Sequence, residues 1–276
     1  MVEPTPLLGR SRRALLDAVE ALHGQREALI VVGAQAIYLH TGVEDEAIAT
    51  ETRDSDIVVN PAVLEHEPLL QEAMKAAGFH LDPSDPQPGG WIGSDGVSVD
   101  LMIPDAVSGT GRSRRSPSIP PHDKMATRKA RGLEAALVDR APMTITALQG
   151  SDDRTFEVLV AGPSALVVAK LHKIAERLEQ PAKRQRPKDS HDVFRLMRDV
   201  PIERFAEGFA ALLRAPVSAG VTAEAVAGLD RLFARPGGAG AQQAGATIAA
   251  IGDAEALALR CSVLAAEVVA VSRRAP

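Results

Sequence analysis

The amino-acid sequence predicts an α/β protein of the α+β kind, with a small mixed sheet flanked by helices and then a helical part. The first observation is that short β-branched runs alternate with amphipathic helical segments up to residue 161. The second is that only helical patterns follow from residue 162 onward. A chain of 276 residues, 45% of them hydrophobic, is long enough to build two cores. We therefore expect two domains, residues 1–161 and residues 162–276.

The first predicted elements are a helix, a buried strand and a second, short helix. Residues 10–24 place an apolar stripe on one side and polar residues such as Arg12 largely on the other. Residues 28–32 form an uncharged, β-branched run that stops at Gly33, as expected for a buried strand that ends in a tight turn. Residues 34–40 then have the pattern of a brief helix.

Two carboxylates begin the next predicted strand, residues 54–59. Side chains alternate across a strand, so Asp54 and Asp56 project from the same face about 7 Å apart along the backbone. At that spacing they are able to share divalent cations, which indicates metal-bound phosphate chemistry.

A helix from Pro61 to Gly78 and a hairpin around residues 91–103 follow in the sequence. In the second hairpin strand, Asp100 lies on the face opposite the Val99 and Leu101 side chains. Alone, Asp100 also fits a solvent-facing position on an edge strand. Considered with Asp54 and Asp56, it becomes the candidate third ligand of a metal cluster.

Residues 105–131 have the composition of a long loop rich in Ser, Pro, Gly and basic residues. Such a segment is either a solvated loop or a cationic arm that guides a polyanion toward the carboxylates. The basic residues of this segment are Arg112, Arg114, Arg115, Lys124, Arg128, Lys129 and Arg131. After it, two further strands are predicted at residues 143–148 and 155–160.

The helical part is predicted to begin after Gly162-Pro163, with Ser164 as the N-cap. Lys170 and Lys173 lie beside the apolar stripe of this helix, so they are either surface charges or anion contacts. Asp189 is the predicted N-cap of the next helix, and Asp192 suits the positive end of its dipole. Helices follow at residues 202–214, 223–234 and 246–272, with a flexible Pro-Gly-Ala stretch at residues 236–245.

These residue types suit nucleotidyl transfer, in which divalent cations hold a triphosphate and activate a hydroxyl, and clustered carboxylates hold the cations. Gly33 before a helix lets backbone N–H groups approach phosphate oxygens, and Lys170 would neutralise charge on the pyrophosphate leaving group. The absence of a Gly-x-x-x-x-Gly-Lys-Ser/Thr motif disfavours a P-loop NTPase. The absence of His-Glu-x-x-His and Gly-x-Ser-x-Gly disfavours a zinc hydrolase and a serine hydrolase.

The ordered set of motifs resembles the polymerase-β-type nucleotidyltransferase superfamily. The residues are Gly33-Ala34, Thr52-x-Asp54-x-Asp56, Asp100, Lys170 and Lys188-Asp189-x-x-Asp192. Within that superfamily the sequence is most similar to the AbiEii/MenT-like group, which are toxins of bacterial toxin–antitoxin systems. The resemblance covers roughly residues 10–200 and implies an N-terminal nucleotidyltransferase domain.

Carried over to this sequence, the resemblance implies site residues and partners. Asp54, Asp56 and Asp100 become ligands of Mg²⁺ or Mn²⁺, and Asp192 becomes an active-site acid that reaches the cleft from the helical domain. The implied nucleotide contacts are Gly33, Ala34, Thr52, Lys170 and Lys173. The implied reaction moves a nucleoside monophosphate from an NTP to an acceptor hydroxyl, with RNA such as a tRNA 3′ end as acceptor, and a cognate antitoxin protein is the implied partner.

Two departures from the family pattern support an alternative function. The family often has Gly or Ser at the position of Ala34, and it tends to have arginine at the position of Thr50. The alternative is a catalytically degenerate protein of the same fold that binds nucleotide, RNA or a partner protein.

Charge and hydropathy limit the setting in which the chain acts. A net charge of −5 argues against coating nucleic acid through bulk positive charge, so any nucleic-acid contact is expected to be local. Only 3% of the residues are aromatic, which disfavours a base-stacking surface. Cys261 is the single cysteine, and no apolar run approaches the ~20 residues of a membrane span, so we expect a cytoplasmic protein without a membrane partner.

Overall fold

The computed structural model describes residues 6–42, 54–110, 113, 115–150, 152–180, 187–235 and 237–274. It contains one mixed sheet together with helices, and the predicted fold class is confirmed. The described residues of Met1–Leu39, Val43–Leu133 and Arg140–Ala161 form one compact unit. Those of His40–Gly42, Glu134–Asp139 and Gly162–Pro276 form a second.

The sheet unit contains all the strands and the first helices. Its helices are α1 (Pro6–Ala21), α2 (Gly33–Thr41, whose last residues belong to the second unit) and α3 (Leu70–Ala76). Its strands are β1 (Leu29–Val32), β2 (Asp54–Val59), β3 (His80–Leu81), β4 (Gly90–Ile92), β5 (Ser98–Pro104), β6 (Arg128–Ala130), β7 (Arg140–Thr146) and β8 (Thr155–Ala161). Short 3-10 helices occur at His23–Ala28, Asp105–Val107 and Leu133–Leu137, and all but the first residue of the last one belong to the second unit.

The strand order in the sheet is β3-β4-β5-β2-β1-β8-β7, and β6 pairs with β5. β1 lies in the middle, antiparallel to β2 and parallel to β8, and all its residues are buried, as expected for an uncharged central strand. β2 and β5 are parallel neighbours. Helix α1 packs against β2 and β5, and its Leu15 and Leu16 side chains are buried.

The helix predicted from Pro61 is wrong over its first part, because α3 begins only at Leu70. Pro68 disfavours helical backbone at the residue before it. Gln25, which is buried, holds the loop in place: its amide donates to the carbonyl oxygens of Glu65 and Pro68 at 2.9 Å, and its oxygen accepts the Glu65 N–H. His122 accepts the N–H of Leu70 at 3.3 Å and so caps the start of α3.

The helical unit contains α4 (Pro163–Leu178), α5 (Pro187–Asp199), α6 (Ile202–Arg214), α7 (Ala219–Leu232), α8 (Ala239–Ala246) and α9 (Ala254–Arg273). Helix α4 packs on α5, α6 and α7, and α9 packs on α5 to α8, so the two form the centre of this unit. The expectation of a flexible stretch at residues 236–245 is wrong from Ala239 onward, since α8 starts there. Among the described helices, none is long and apolar enough to cross a membrane.

Both predicted N-caps of the helical unit are wrong. Gly162 is the residue that precedes α4, and Asp139 supplies the cap, its Oδ2 accepting the N–H of Ala165 at 3.0 Å. The hydroxyl of Ser164 is buried and has no hydrogen-bond partner among the described residues. Asp189 lies within α5, which starts at Pro187, and its carboxylate is used in ion pairs instead.

Candidate active site

Three carboxylates lie on one face of two neighbouring strands. In the parallel pairing of β2 with β5, Asp56 is opposite Asp100 and Asp54 is opposite Ser98. Residues opposite each other in adjacent strands have their Cβ atoms about 5 Å apart and on the same side of the sheet. Asp54 is exposed, and Asp56 and Asp100 are half-buried. The structure therefore brings the three predicted acidic residues into one neighbourhood.

Gly33 lies directly beside this acidic group. Val32, the last residue of β1, is opposite Asp56 in the antiparallel β1–β2 pair, so Gly33 follows at the point where the chain turns into α2. Its φ of +66° is in the left-handed region that favours glycine. A Cβ at this position would lie 2.9 Å from Cγ of Asp56 and 3.0 Å from its Cβ, and closer still to Oδ2. The turn therefore needs glycine both for its backbone conformation and to leave room for the Asp56 carboxylate.

Asp100 forms an ion pair that the sequence analysis did not predict. Nη2 of Arg128 lies 2.7 Å from Oδ2 of Asp100. Burial raises the pKa of Asp100; the charge of Arg128 opposes this, while those of Asp56 and Asp54 add to it. The pKa of Arg128 is raised, because attraction to the three carboxylates outweighs the effect of burial. One cation thus interacts with all three acidic side chains.

Arg128 lies in β6, so the predicted loop over residues 105–131 is wrong at its C-terminal end. The pairing of Met102 with Arg128 places the arginine diagonally from Asp100, on the same face of the sheet. The sequence signal for β6 is only three residues long, with two of them basic. Local patterns therefore gave no means of finding this contact.

Divalent metal ions fit the donor set of this site in chemistry. Carboxylate oxygens are the ligands that Mg²⁺ prefers, and a guanidinium already stands as a cation among the three acids. In the conformation described, Asp100 is directed at Arg128. Within the described residues, no three His, Cys, Asp or Glu side chains are grouped as ligands of one ion.

A buried polar network joins α1 to the two elements that carry the site. Ser55, between the two aspartates of β2, faces the opposite side and donates to the carbonyl oxygen of Ser11 at 2.8 Å. Gln35 in α2 donates to the Ser11 hydroxyl at 2.9 Å and accepts from Nε of Arg12 at 2.7 Å. Arg12 also donates to the Thr146 carbonyl at 2.9 Å.

The expectation that Arg12 lies on the exposed side of α1 is wrong, because its side chain is buried in this network. Burial lowers the pKa of Arg12 to about 10. The network fixes the position of β2 and α2, so the carboxylates and the glycine turn are held in place from behind.

The remaining predicted nucleotide contacts of the sheet unit have different surroundings. The side chain of Ala34 packs in a small apolar cluster with Leu8, Tyr38 and Leu148, while its backbone lies in the first turn of α2. Thr52, predicted to contact nucleotide, and Thr50, the second departure from the family pattern, lie outside the described residues.

In the helical unit, Lys170 and Asp192 belong to a buried ion cluster. Nζ of Lys170 lies 2.8 Å from Oδ1 of Asp189 and 2.7 Å from Oδ2 of Asp192, and all three side chains are almost entirely buried. Burial lowers the pKa of Lys170, but the two carboxylates outweigh that effect and raise it. A lysine ammonium has three donors, and the contacts among the described residues use two of them.

Asp189 is also paired with Arg177 and interacts with the charge of Lys173, which is half-buried. Burial alone would raise the pKa of Asp189, but Lys170 and these neighbouring cations lower it to about 2. Asp189 is therefore ionised near neutral pH, and Lys170 is a fixed positive charge.

The protein thus has an α/β fold in which carboxylates on two paired strands lie beside a glycine turn. A family model described as nucleotidyltransferase matches residues 10–199, which is more than half of the chain. The chain belongs to this nucleotidyltransferase family. The match includes the whole sheet and ends with α5, so it contains the acidic group and the lysine cluster. Comparisons with curated proteins and with solved structures found no match.

Membership of the family indicates the general activity. Nucleotidyltransferases move a nucleoside monophosphate, so the family indicates a transferase with a nucleotide as its substrate.

Proposed function

We propose that the protein transfers a nucleoside monophosphate from an NTP to an acceptor hydroxyl and releases pyrophosphate, with Mg²⁺ held by Asp54, Asp56 and Asp100. The observation that supports this most is the register of β2 and β5, which sets Asp56 opposite Asp100 and next to Gly33. Bound Mg²⁺ would neutralise the triphosphate and lower the pKa of the attacking hydroxyl.

The side chains and backbone of the sheet unit prepare the site for a triphosphate. Gly33 leaves the start of α2 without a side chain, so backbone N–H groups are able to approach phosphate oxygens. The N-terminus of α2 favours negative charge at the same place. The contact of Ser55 with Ser11 holds β2 still, which keeps both of its carboxylates in a defined position.

We propose a nucleotidyltransferase domain of residues 1–161, followed by a helical domain of residues 162–276. We also propose that side chains of the helical domain contact phosphate. Within the part of the chain that the structure describes, Lys170 uses two of its three donors, on Asp189 and Asp192, and Lys173 adds a second positive charge nearby. A fixed ammonium of this kind stabilises the charge that develops on pyrophosphate. Asp192, which binds Lys170, is the acid that we propose for the site from this domain.

The acceptor we propose is RNA, such as a tRNA 3′ end. Support comes from the family resemblance and from exposed cations after β5, including Arg115, Lys124 and Arg131. Arg128 is removed from this set, because its guanidinium binds Asp100. We further propose that the protein is the toxin of a toxin–antitoxin pair, on the strength of the resemblance to the AbiEii/MenT-like group.

The experiment is to incubate the protein with labelled NTPs, Mg²⁺ and either total RNA or a protein extract. Labelling of RNA is expected, with the rate falling about 10²–10³-fold in Asp56→Asn and Asp100→Asn. Asp85→Asn is the matched control, since Asp85 is an exposed aspartate of the same unit. No labelling in either fraction, or equal labelling by wild type and Asp56→Asn, would rule out the proposed reaction.

The toxin role has a separate test in bacteria. Expression of the wild-type chain is expected to slow growth, whereas Asp54→Asn is expected to relieve the effect. Unimpaired growth with an active wild-type enzyme would exclude the toxin role and leave the transfer reaction intact.

A second candidate function is binding without catalysis by a degenerate site. The ion pair between Arg128 and Asp100 favours it, because it uses one oxygen of the third carboxylate. Calorimetry with NTP and Mg²⁺ distinguishes the two: a binding protein gives a single heat of binding and no pyrophosphate.

A further inference from the structure

The ion pair between Arg128 and Asp100 is built into the sheet by several independent contacts. Met102 and Ile103 of β5 are opposite Arg128 and Lys129 of β6, on the edge of β5 where β4 also pairs. The Trp91 indole N–H donates to the carbonyl of Ala126 at 2.9 Å, which ties the segment before β6 to β4. These contacts hold the backbone of Arg128 beside β5, and the position of its side chain next to Asp100 follows from the strand pairing.

Gly89 makes this arrangement possible at the junction of β4 and β6. Its N–H donates to the Met125 carbonyl at 2.9 Å, and its own carbonyl accepts the Leu101 N–H at 2.8 Å. Its φ is +72°, and a Cβ here would lie 2.6 Å from the backbone nitrogen of Arg128. Any larger residue would push β6 away from β5 and take Arg128 with it.

The electrostatic environment gives Arg128 more than one partner. Its side chain is 34% exposed and that of Asp100 is 23% exposed, so both charges are partly shielded from water. Asp56 is directly opposite Asp100, and Asp54 is two residues away on the same face. Both of these carboxylates also attract the guanidinium. Arg128 thus balances a group of three negative charges, and the contact is more than a pairwise surface ion pair.

Arg128 and a divalent cation would compete for the same group. The guanidinium is bound to Oδ2 of Asp100, which is also an oxygen that a metal ligand would use. Positive charge next to the carboxylates also disfavours the approach of a second cation. The guanidinium of Arg128 would therefore lower the affinity of the three carboxylates for a metal ion.

We propose that Arg128 is the resident counter-cation of Asp54, Asp56 and Asp100, and that a divalent metal ion must displace it from Asp100 in order to bind. The inference rests on the proposed function, since it assumes that these carboxylates hold the metal. Arg128 acts here as a positioning residue: it orients Asp100 before the metal arrives and lowers the affinity of the site for the metal.

The test measures Mn²⁺ binding to the full-length chain, by counting free Mn²⁺ with electron paramagnetic resonance. Arg128→Gln is expected to tighten Mn²⁺ binding at least about tenfold, the order that Coulomb's law gives for removing one charge about 5 Å from a divalent ion even at the dielectric constant of water. Arg128→Lys keeps the charge and is expected to stay within about twofold of wild type. A residue that only supports the fold would give the opposite sign, because loss of support weakens binding.

Arg154→Gln is the matched control. Arg154 is an arginine of the same unit with 26% side-chain exposure, and its carboxylate partners are Asp17, Glu20 and Asp152, which have no proposed role. Its replacement is expected to leave Mn²⁺ affinity unchanged. Unchanged or weaker Mn²⁺ binding in Arg128→Gln overturns the inference.

A measurement on the wild-type protein covers the case in which Arg128→Gln does not fold. The Arg128 Nε–H resonance, assigned by its loss in Arg128→Lys, is expected to shift and to exchange faster with water when Mg²⁺ saturates the site. A resonance that Mg²⁺ leaves unaltered overturns the inference.

Asp56→Asn separates this inference from the proposed function. If Asp56→Asn does not weaken Mn²⁺ binding, the proposed metal site is wrong and the role of Arg128 falls with it. If Asp56→Asn weakens binding but Arg128→Gln does not tighten it, only the role of Arg128 is wrong.

Discussion

Replacement of Gly33 by alanine tests whether the turn before α2 and the Asp56 carboxylate share one space. Two effects act at this position. An alanine must adopt a φ of +66°, and its Cβ would lie at or under 3.0 Å from three atoms of the Asp56 side chain. The first effect strains the backbone, and the second displaces a proposed metal ligand.

Gly78→Ala separates these effects, because Gly78 has a φ of +83° and nothing within 4 Å of a Cβ. Left-handed backbone costs an alanine about 1–2 kcal/mol, so Gly78→Ala is expected to lose that much free energy of unfolding. Gly33→Ala carries the same strain, and moving the Asp56 carboxylate from its rotamer adds about 1 kcal/mol. The total for Gly33→Ala is about 2–3 kcal/mol.

The two variants are expected to differ much more in activity than in stability. Clearing the contact requires the carboxylate to move by about 1 Å, and a displacement of that size costs about 100-fold in rate. Gly78 lies between α3 and β3, so its replacement should leave the rate unchanged.

Urea denaturation gives the unfolding free energies, and release of pyrophosphate from labelled NTP gives the rates. Equal losses of stability and of rate in the two variants would refute the steric reasoning. A larger stability loss in Gly33→Ala without any loss of rate would refute the role of Asp56 and leave the steric argument standing.

Three other predictions concern the helical unit, and urea denaturation measures each. Lys170→Met removes the cation that two buried carboxylates bind and is expected to lower the free energy of unfolding by about 3 kcal/mol. Lys173→Met, at a half-buried position, should lower it by less than about 1 kcal/mol, and similar losses in the two variants would contradict the ion cluster. The folded-state pKa of Asp189, about 2, lies below its unfolded value near ~3.9, so its stabilisation is present above about pH 4 and is lost as the pH falls toward 2. The stability difference between wild type and Asp189→Asn should therefore shrink by about 2 kcal/mol across that interval, and a constant difference would contradict the assignment. Asp139→Ala should cost about 1 kcal/mol because it removes the cap of α4, while Ser164→Ala should be close to neutral; the reverse order would restore Ser164 as the cap.

The strands that carry the acidic group could be predicted from the sequence because their signals are local. A two-residue period on β2 and on β5 is enough to put Asp54 and Asp56 on one face and to separate Asp100 from its apolar neighbours. What the period does not contain is which strands are neighbours. The pairing of Asp56 with Asp100 joins residues 44 positions apart in the chain, and it depends on α1 packing across both strands.

Charged residues were the main source of error, and for one physical reason. Arg12 and Arg128 both lie in segments whose composition fits solvent exposure. Each instead binds a group distant in sequence, the Thr146 carbonyl for Arg12 and the Asp100 carboxylate for Arg128. An ionised side chain is strongly solvated, so its burial is favourable only when tertiary structure supplies the partner. Propensity and periodicity contain no information about that partner.

Arg128 shows how such an error changes a functional conclusion as well as a structural one. As a member of a basic loop it counts toward an RNA-binding surface, and as the partner of Asp100 it belongs to the acidic group instead.

The two roles predict different effects of salt concentration on RNA affinity and on metal affinity. Phosphate contacts weaken as salt increases, because the release of condensed counterions gains less free energy when the surrounding salt is more concentrated. An arginine that shields three carboxylates acts on metal affinity at every salt concentration, since its distance to Asp100 is only 2.7 Å and far inside the screening length of about 8 Å at 0.15 M salt. The RNA affinity and the Mn²⁺ affinity of Arg128→Gln, measured over the same range of salt, therefore assign the residue to one role. An RNA affinity equal to that of wild type, together with tighter Mn²⁺ binding at each salt concentration, places Arg128 in the acidic group.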